Sequence, residues 1–177
     1  MKIYLLDNNE LISAAWNEYF HDCKNVEIVT ADFEHFMDNH KVDCVVSPGN
    51  SKGIMLGGYD LAITKYFGKE LTKKIQAYIA KTYKGGYQPV ASAFITDIPG
   101  SKIKLIHCPT MLKPSVIYNP KIVNDCMYNV LKVATENNIQ AIVIPAFGGM
   151  TGKVNPNELA KEMFDAYNLF IKNKKEA

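Results

Sequence analysis

The sequence contains no arginine; all twenty of its basic residues are lysines, set against 18 acidic residues for a net charge of +2. This absence removes the planar guanidinium fork. Any phosphate or guanine must therefore be recognised by lysine or by backbone N–H groups. The lysines are spread along the chain, which argues against a dedicated nucleic-acid footprint. Long apolar runs are missing too, and none approaches the roughly 20 residues a bilayer-spanning helix needs. The opening Met1–Asp7 holds too short an apolar stretch for a signal peptide, so a soluble, cytoplasmic protein with no membrane partner is expected. The four cysteines, Cys23, Cys44, Cys108 and Cys126, form no C-x-x-C pair, and His107 beside Cys108 is the one close Cys/His neighbour. No zinc site is expected from such spacing. The acidic residues do not cluster at ligand spacing either, so neither a metal nor another cofactor is expected.

What is present suits one folded domain over residues 1–177: the chain is 47% hydrophobic and 21% charged, near globular averages. Strands are expected at Lys2–Leu6, Val26–Thr30, Asp43–Ser47, Val90–Thr96, Lys104–Cys108 and Ala141–Ile144. Between them lie helical patterns. The first runs from Glu10 to His21, capped by Asn8 or Asn9, with Leu11, Ala14, Ala15, Trp16 and Tyr19 as its apolar stripe. Others open near Asp60, at Lys69, at Asn119-Pro120 and at Asn155-Pro156. Alternating strands and helices predict an α/β fold: a three-layer α/β/α sandwich around a mixed, largely parallel sheet.

Two glycine loops carry the functional signal. Pro48 to Tyr59 follows the third strand, and Pro145 to Lys153 follows the last. Loops of this kind lie at the carboxyl edge of an open α/β sheet, where ligands bind. Glycine lets backbone N–H groups approach a ligand, and a following helix adds free donors. Two such loops could hold a diphosphate without arginine. Neither is a known nucleotide fingerprint: G-x-x-x-x-G-K-[ST] is absent, and so is G-x-G-x-x-G after a strand.

At these residues the chain resembles the macro domain family, in a divergent branch like that of phages and bacteria. Val42-Asp43-Cys44-Val45-Val46-Ser47-Pro48-Gly49-Asn50-Ser51 is similar to the family's strand ending in N-A-A-N-S. Gly57-Gly58-Tyr59-Asp60-Leu61-Ala62-Ile63 is similar to its G-G-V-D-x-A-I segment. Ile144 to Gly152 is similar to its phosphate-holding loop, and Thr30-Ala31-Asp32-Phe33 to its early G-D-I step. Pro109-Thr110-Met111 fits the divergent branch.

The resemblance implies ADP-ribose or a derivative as ligand, an ADP-ribosylated protein as a possible partner, and hydrolysis of an ADP-ribosyl protein or of ADP-ribose 1''-phosphate. It implies that Asp32 accepts from the adenine amino group and that Gly49 and Asn50 approach the distal ribose. Gly57, Gly58 and Tyr59 would pass along ribose and diphosphate, and Phe147, Gly148, Gly149, Met150, Thr151 and Gly152 would wrap the diphosphate. Asp60 and Asn50 would be catalytic, a carboxylate activating water and an amide posing the sugar.

Three positions depart from the family pattern. Ser47 stands near the first asparagine, Thr64 replaces a histidine four residues past Asp60, and Met150 or Thr151 replaces an aromatic residue. The replaced histidine and the altered second loop favour an alternative, a module that binds ADP-ribose without turnover; a structural protein that kept the fold without the ligand is a third reading. The same residues also have plain structural explanations. Asp60 and Asp32 suit helix caps, Asn50 a turn, His107 a hydrogen-bonded strand histidine, and Lys52 and Lys153 the surface.

Overall fold

In the computed structural model, which describes residues 1–176, six strands form one sheet in the order β2-β1-β6-β3-β5-β4. The strands are β1 (Lys2–Asp7), β2 (Val26–Thr30), β3 (Cys44–Ser47), β4 (Phe94–Asp97), β5 (Lys104–His107) and β6 (Ala141–Pro145). The helices are α1 (Glu10–Phe20), α2 (Phe33–Asn39), α3 (Gly58–Phe67), α4 (Glu70–Thr82), α5 (Lys121–Glu136) and α6 (Pro156–Glu176). Five strands run parallel, and β4 pairs antiparallel with β5 at the edge.

Both faces of the sheet are buried, as its strands' near-continuous apolar composition requires. Ile3, Leu5, Cys44, Val46, Ile106, Ile142 and Ile144 face one core, which α1, α5 and α6 cover. Leu6, Val45, Leu105 and Val143 face the other, under α2, α3 and α4. The alternation follows from the two-residue period of a strand.

Local signals set most element boundaries. Asn9 caps α1, its Oδ1 accepting from the Leu11 N–H at 2.9 Å. Asn155 Oδ1 accepts from the Asn157 N–H at 3.0 Å where α6 opens. On α5 the apolar residues at helical spacing, Ile122, Val123, Cys126, Met127, Val130, Leu131 and Ala134, are all buried except Ile122, which is half-buried.

Two expectations need correction. The buried stripe of α1 is Ile12, Ser13, Ala15, Trp16 and Phe20; Leu11 is 70% exposed, and Ala14 is exposed as well. Leu11 and Ile12 are both apolar, so the pattern alone was open by one residue, and the packing of Trp16 decided the rotation. The strand expected at Val90–Thr96 begins only at Phe94. Ahead of it the chain turns, with Ala91 in the left-handed region at φ 63° and the Ser92 N–H donating to Pro89 O at 3.1 Å.

The α1 correction is testable by urea denaturation. Ile12→Ala should cost about 2–5 kcal/mol, as for a buried isoleucine. Leu11→Ala should stay within about 0.5 kcal/mol. Equal losses would mean that the helix is rotated otherwise.

Candidate functional site

The carboxyl ends of β1, β2, β3, β5 and β6 open into one cavity of about 870 Å³, within the usual size of small-molecule sites. Its walls come from Asp7 and Asn8 after β1, Asp32 and Phe33 after β2, Pro48 to Asn50 after β3, Thr110 and Met111 after β5, and Gly148 to Gly152 after β6. The start of α3, from Gly57 to Asp60, closes the remaining side. This is the edge where a parallel sheet gathers its loops.

The first loop is held rigidly. Asn50 Oδ1 accepts from the N–H groups of Lys52 (3.2 Å) and Ile54 (3.3 Å), and Asn50 Nδ2 donates to Ile54 O (2.9 Å). The Asn50 amide therefore staples its own loop and keeps one Nδ2 hydrogen free for the cavity. Thr110 braces the same loop from β5: its Oγ1 donates to Pro48 O at 3.0 Å, and its N–H donates to Gly49 O at 3.1 Å.

At the start of α3 the cap is Gly57, which has no side chain to satisfy the first-turn donors. The opening N–H groups of the helix, from Gly58 on, thus carry partial positive charge into the cavity. Gly58 has φ 54° and lies against the second loop: a Cβ there would stand 3.0 Å from Met150 Sδ. The second loop is tight as well. A Cβ on Gly152 would stand 2.8 Å from Gly148 O and 2.9 Å from Gly148 Cα. Among the described residues, the N–H groups of Met150, Thr151 and Gly152 have no protein acceptor.

Asp60 occupies the first turn of α3 but does not cap it. It is 6% exposed, and its Oδ1 accepts from Ser47 Oγ on β3 at 2.7 Å. Burial pushes its carboxyl up to about 7, against the Ser47 hydrogen bond, which lowers it. Its neighbour Tyr59 has a buried hydroxyl with no partner, and burial, Asp60 and Asp7 all hold that phenol well above its ordinary value. Thr64, one turn on, donates from Oγ1 to Asp60 O at 3.0 Å and so serves the helix backbone.

Asp32 stands at the cap position of α2 without capping it. Its exposed carboxylate instead accepts from Asn8 Nδ2 at 3.0 Å.

Of the residues expected at the site, Asp32, Gly49, Asn50, Gly57, Gly58, Tyr59, Asp60, Gly148, Gly149, Met150, Thr151 and Gly152 all line the cavity. Phe147 does not: its side chain is fully buried in the core under α1, α5 and α6. Its alternation with Ala146 points it away from the loop's open side. Lys52 and Lys153 also lie off the walls, Lys52 with its ammonium over the Tyr87 ring at 4.8 Å.

Sequence reasoning missed Asp7, Asn8, Phe33, Lys65 and Tyr66, which line the cavity too. Asp7 and Asn8 end a strand exactly as other wall residues do, and that position was their available signal. Lys65 and Tyr66 had none, since a helix surface shows no mark of what it faces.

Comparison with known proteins agrees with this architecture. An uncharacterized protein of Aquifex aeolicus is 28% identical over 129 residues, covering 72% of this chain and 74% of that one. The macrodomain of Mycobacterium tuberculosis DarG superposes with a TM-score of 0.63 at 16% identity, covering 74% of this chain and 84% of that one. An Oceanobacillus iheyensis macrodomain with ADP gives 0.65 at 20% identity, over 74% and 70% of the two chains. A family model, described as Macro domain, matches residues 46–163, a span that holds β4 to β6 and both glycine loops. The chain belongs to the macro domain family.

Proposed function

We propose that the cavity binds ADP-ribose or an ADP-ribose derivative and hydrolyses the bond at its distal ribose, with an ADP-ribosyl protein or ADP-ribose 1''-phosphate as substrate. The observation that carries this reading is that two sets of free backbone donors, at the uncapped start of α3 and at Met150 to Gly152, belong to residues lining one cavity. Free N–H groups together with helix-dipole charge suit a diphosphate, and they do so without the arginine the chain lacks. The Oceanobacillus iheyensis macrodomain is known with ADP, and a mutant of it with ADPR, which supports the same ligand class here.

Placed around a diphosphate, the remaining walls take distinct parts. Asp32, with Asn8 beside it, offers a carboxylate to an exocyclic amino group. Phe33 and Tyr59, edge to face at 5.3 Å, give an apolar wall. Asp60, buried next to the donors of α3, takes a proton from an attacking water when ionised. A second reading, binding without turnover, is favoured by Asn50, whose amide is largely spent on its own loop, and by Thr64, whose hydroxyl is spent on the helix backbone.

Calorimetry with ADP-ribose should show saturable binding that AMP does not reproduce. Gly152→Ala, which forces a methyl against the Gly148 backbone, should weaken it by about tenfold or more, or 1.4 kcal/mol. Absence of binding at millimolar ADP-ribose would overturn the proposal.

Release of ADP-ribose from a modified substrate separates the two readings. Asp60→Asn should abolish release while leaving ADP-ribose binding in place, and no release by the parent protein would select binding without turnover. The base form of Asp60 is the ionised one, and its carboxyl sits at about 7. The rate should therefore rise with pH through that value and level off above it. A rate already flat from about pH 5 would remove Asp60 as the base.

A further inference from the structure

The strands β1 and β2 end side by side, with Asp7 opposite Thr30 and the Ala31 N–H donating to Asp7 O at 3.1 Å. Just past them Asn8 and Asp32 are exposed on the wall of the cavity. The sequence offers both as helix caps, and neither serves as one. Asn9 caps α1, and the Asp32 side chain makes no cap bond to α2. They bond to each other instead, Asn8 Nδ2 donating to Asp32 Oδ1 at 3.0 Å.

This bond sets which way the Asn8 amide points. A carboxylate only accepts, so the Nδ2 side must face it. The backbone at Asn8 is held as well, because Asp7 Oδ1 accepts from the Asn9 N–H at 2.8 Å and closes a turn around it. Among the described residues neither the Asn8 nor the Asp32 side chain has another hydrogen-bond partner. Asp32 Oδ2 is therefore left as a free acceptor, and beside it the second Nδ2–H of Asn8 as a free donor.

We propose that Asn8 determines base specificity at this wall: together with Asp32 it selects a purine whose 6-amino group lies beside an unprotonated ring nitrogen, and rejects the 6-oxo form. In the ADP-ribose reading, on which this specificity rests, Asp32 accepts from the exocyclic amino group. Asn8 Nδ2–H then donates to the ring nitrogen next to it. Adenine offers a donor and an acceptor on neighbouring atoms, and an asparagine amide matches such a pair. Hypoxanthine reverses both positions. Its 6-oxygen would face the Asp32 carboxylate, acceptor against acceptor. Its ring N–H would face the Asn8 N–H, donor against donor. A site built on hydrogen bonds rejects an analogue that leaves its polar groups unpaired.

The test is calorimetry with two probes, ADP-ribose and IDP-ribose, its deaminated analogue with hypoxanthine in place of adenine. The parent protein should bind ADP-ribose at least about tenfold more tightly than IDP-ribose. Asn8→Ala should bring the two within about threefold, by weakening ADP-ribose and leaving IDP-ribose where it was. An unchanged IDP-ribose affinity also shows that the fold and the diphosphate donors are intact. Asn8→Asp keeps the shape and turns the donor into an acceptor, so it should move the ratio further toward IDP-ribose than Asn8→Ala does. Equal affinity of the parent for both probes, variants that keep the parent's preference, or variants that lose both probes alike would each overturn the role of Asn8 while ADP-ribose binding still stood. A parent that binds neither probe would overturn it together with the ADP-ribose reading.

Discussion

The insertion of β6 between β1 and β3 is the constraint on which the rest depends. Its residues pair with Lys2–Leu6 on one side and with Cys44 and Val45 on the other. Ile142 and Ile144 enter one core, and Val143 the other. That single five-residue strand, from late in the chain, joins two strands from its early part. It also delivers the second glycine loop to the edge where the first already lies. Without this crossover each loop would be an ordinary turn.

The site then follows from what a parallel sheet leaves unsatisfied. Its strands satisfy one another along their length, but the loops at their carboxyl ends and the first turn of α3 keep free N–H groups. Here those donors are not capped by side chains: Gly57 cannot, Asp60 is turned toward Ser47, and the second loop uses none of the N–H groups from Met150 to Gly152 internally. Backbone donors thus supply the positive character that arginine supplies elsewhere. Glycine has a double part in this. At Gly58 it gives the positive φ that lets the two loops meet, and at Gly152 it allows backbone to lie on backbone.

Next to these donors the structure places buried groups that are costly in isolation. Asp60 is removed from water with one hydrogen bond to Oδ1, and His107 with an empty Nε2. Burying such groups opposes folding unless they are neutral or paired. The buried pairs Ser47–Asp60 and Gln88–His107 are therefore a local departure from an otherwise apolar interior. Such departures gather where chemistry is done.

Much of the fold was legible in the chain because its signals are local. Alternation along β1 and β6, the stripe of α5, and the caps at Asn9 and Asn155 each lie within a few residues of what they determine. Both glycine loops were legible for the same reason, and ten of the site residues named in them line the cavity. The failures share a cause. Leu11 and Ile12 are equally apolar, so only the neighbours of α1 could choose between them. Phe147 reads as part of a loop, and only the core opposite draws it inward. His107 looked like a strand histidine, which it is; its empty nitrogen and its place behind Gly49 come from residues far away in sequence. The sequence by itself determined the strands, the helices and the glycine loops, because backbone preference and apolar period act over short range. Only the tertiary structure decided which donors stay free and which buried groups face each other, because those depend on contacts between segments that the chain keeps far apart.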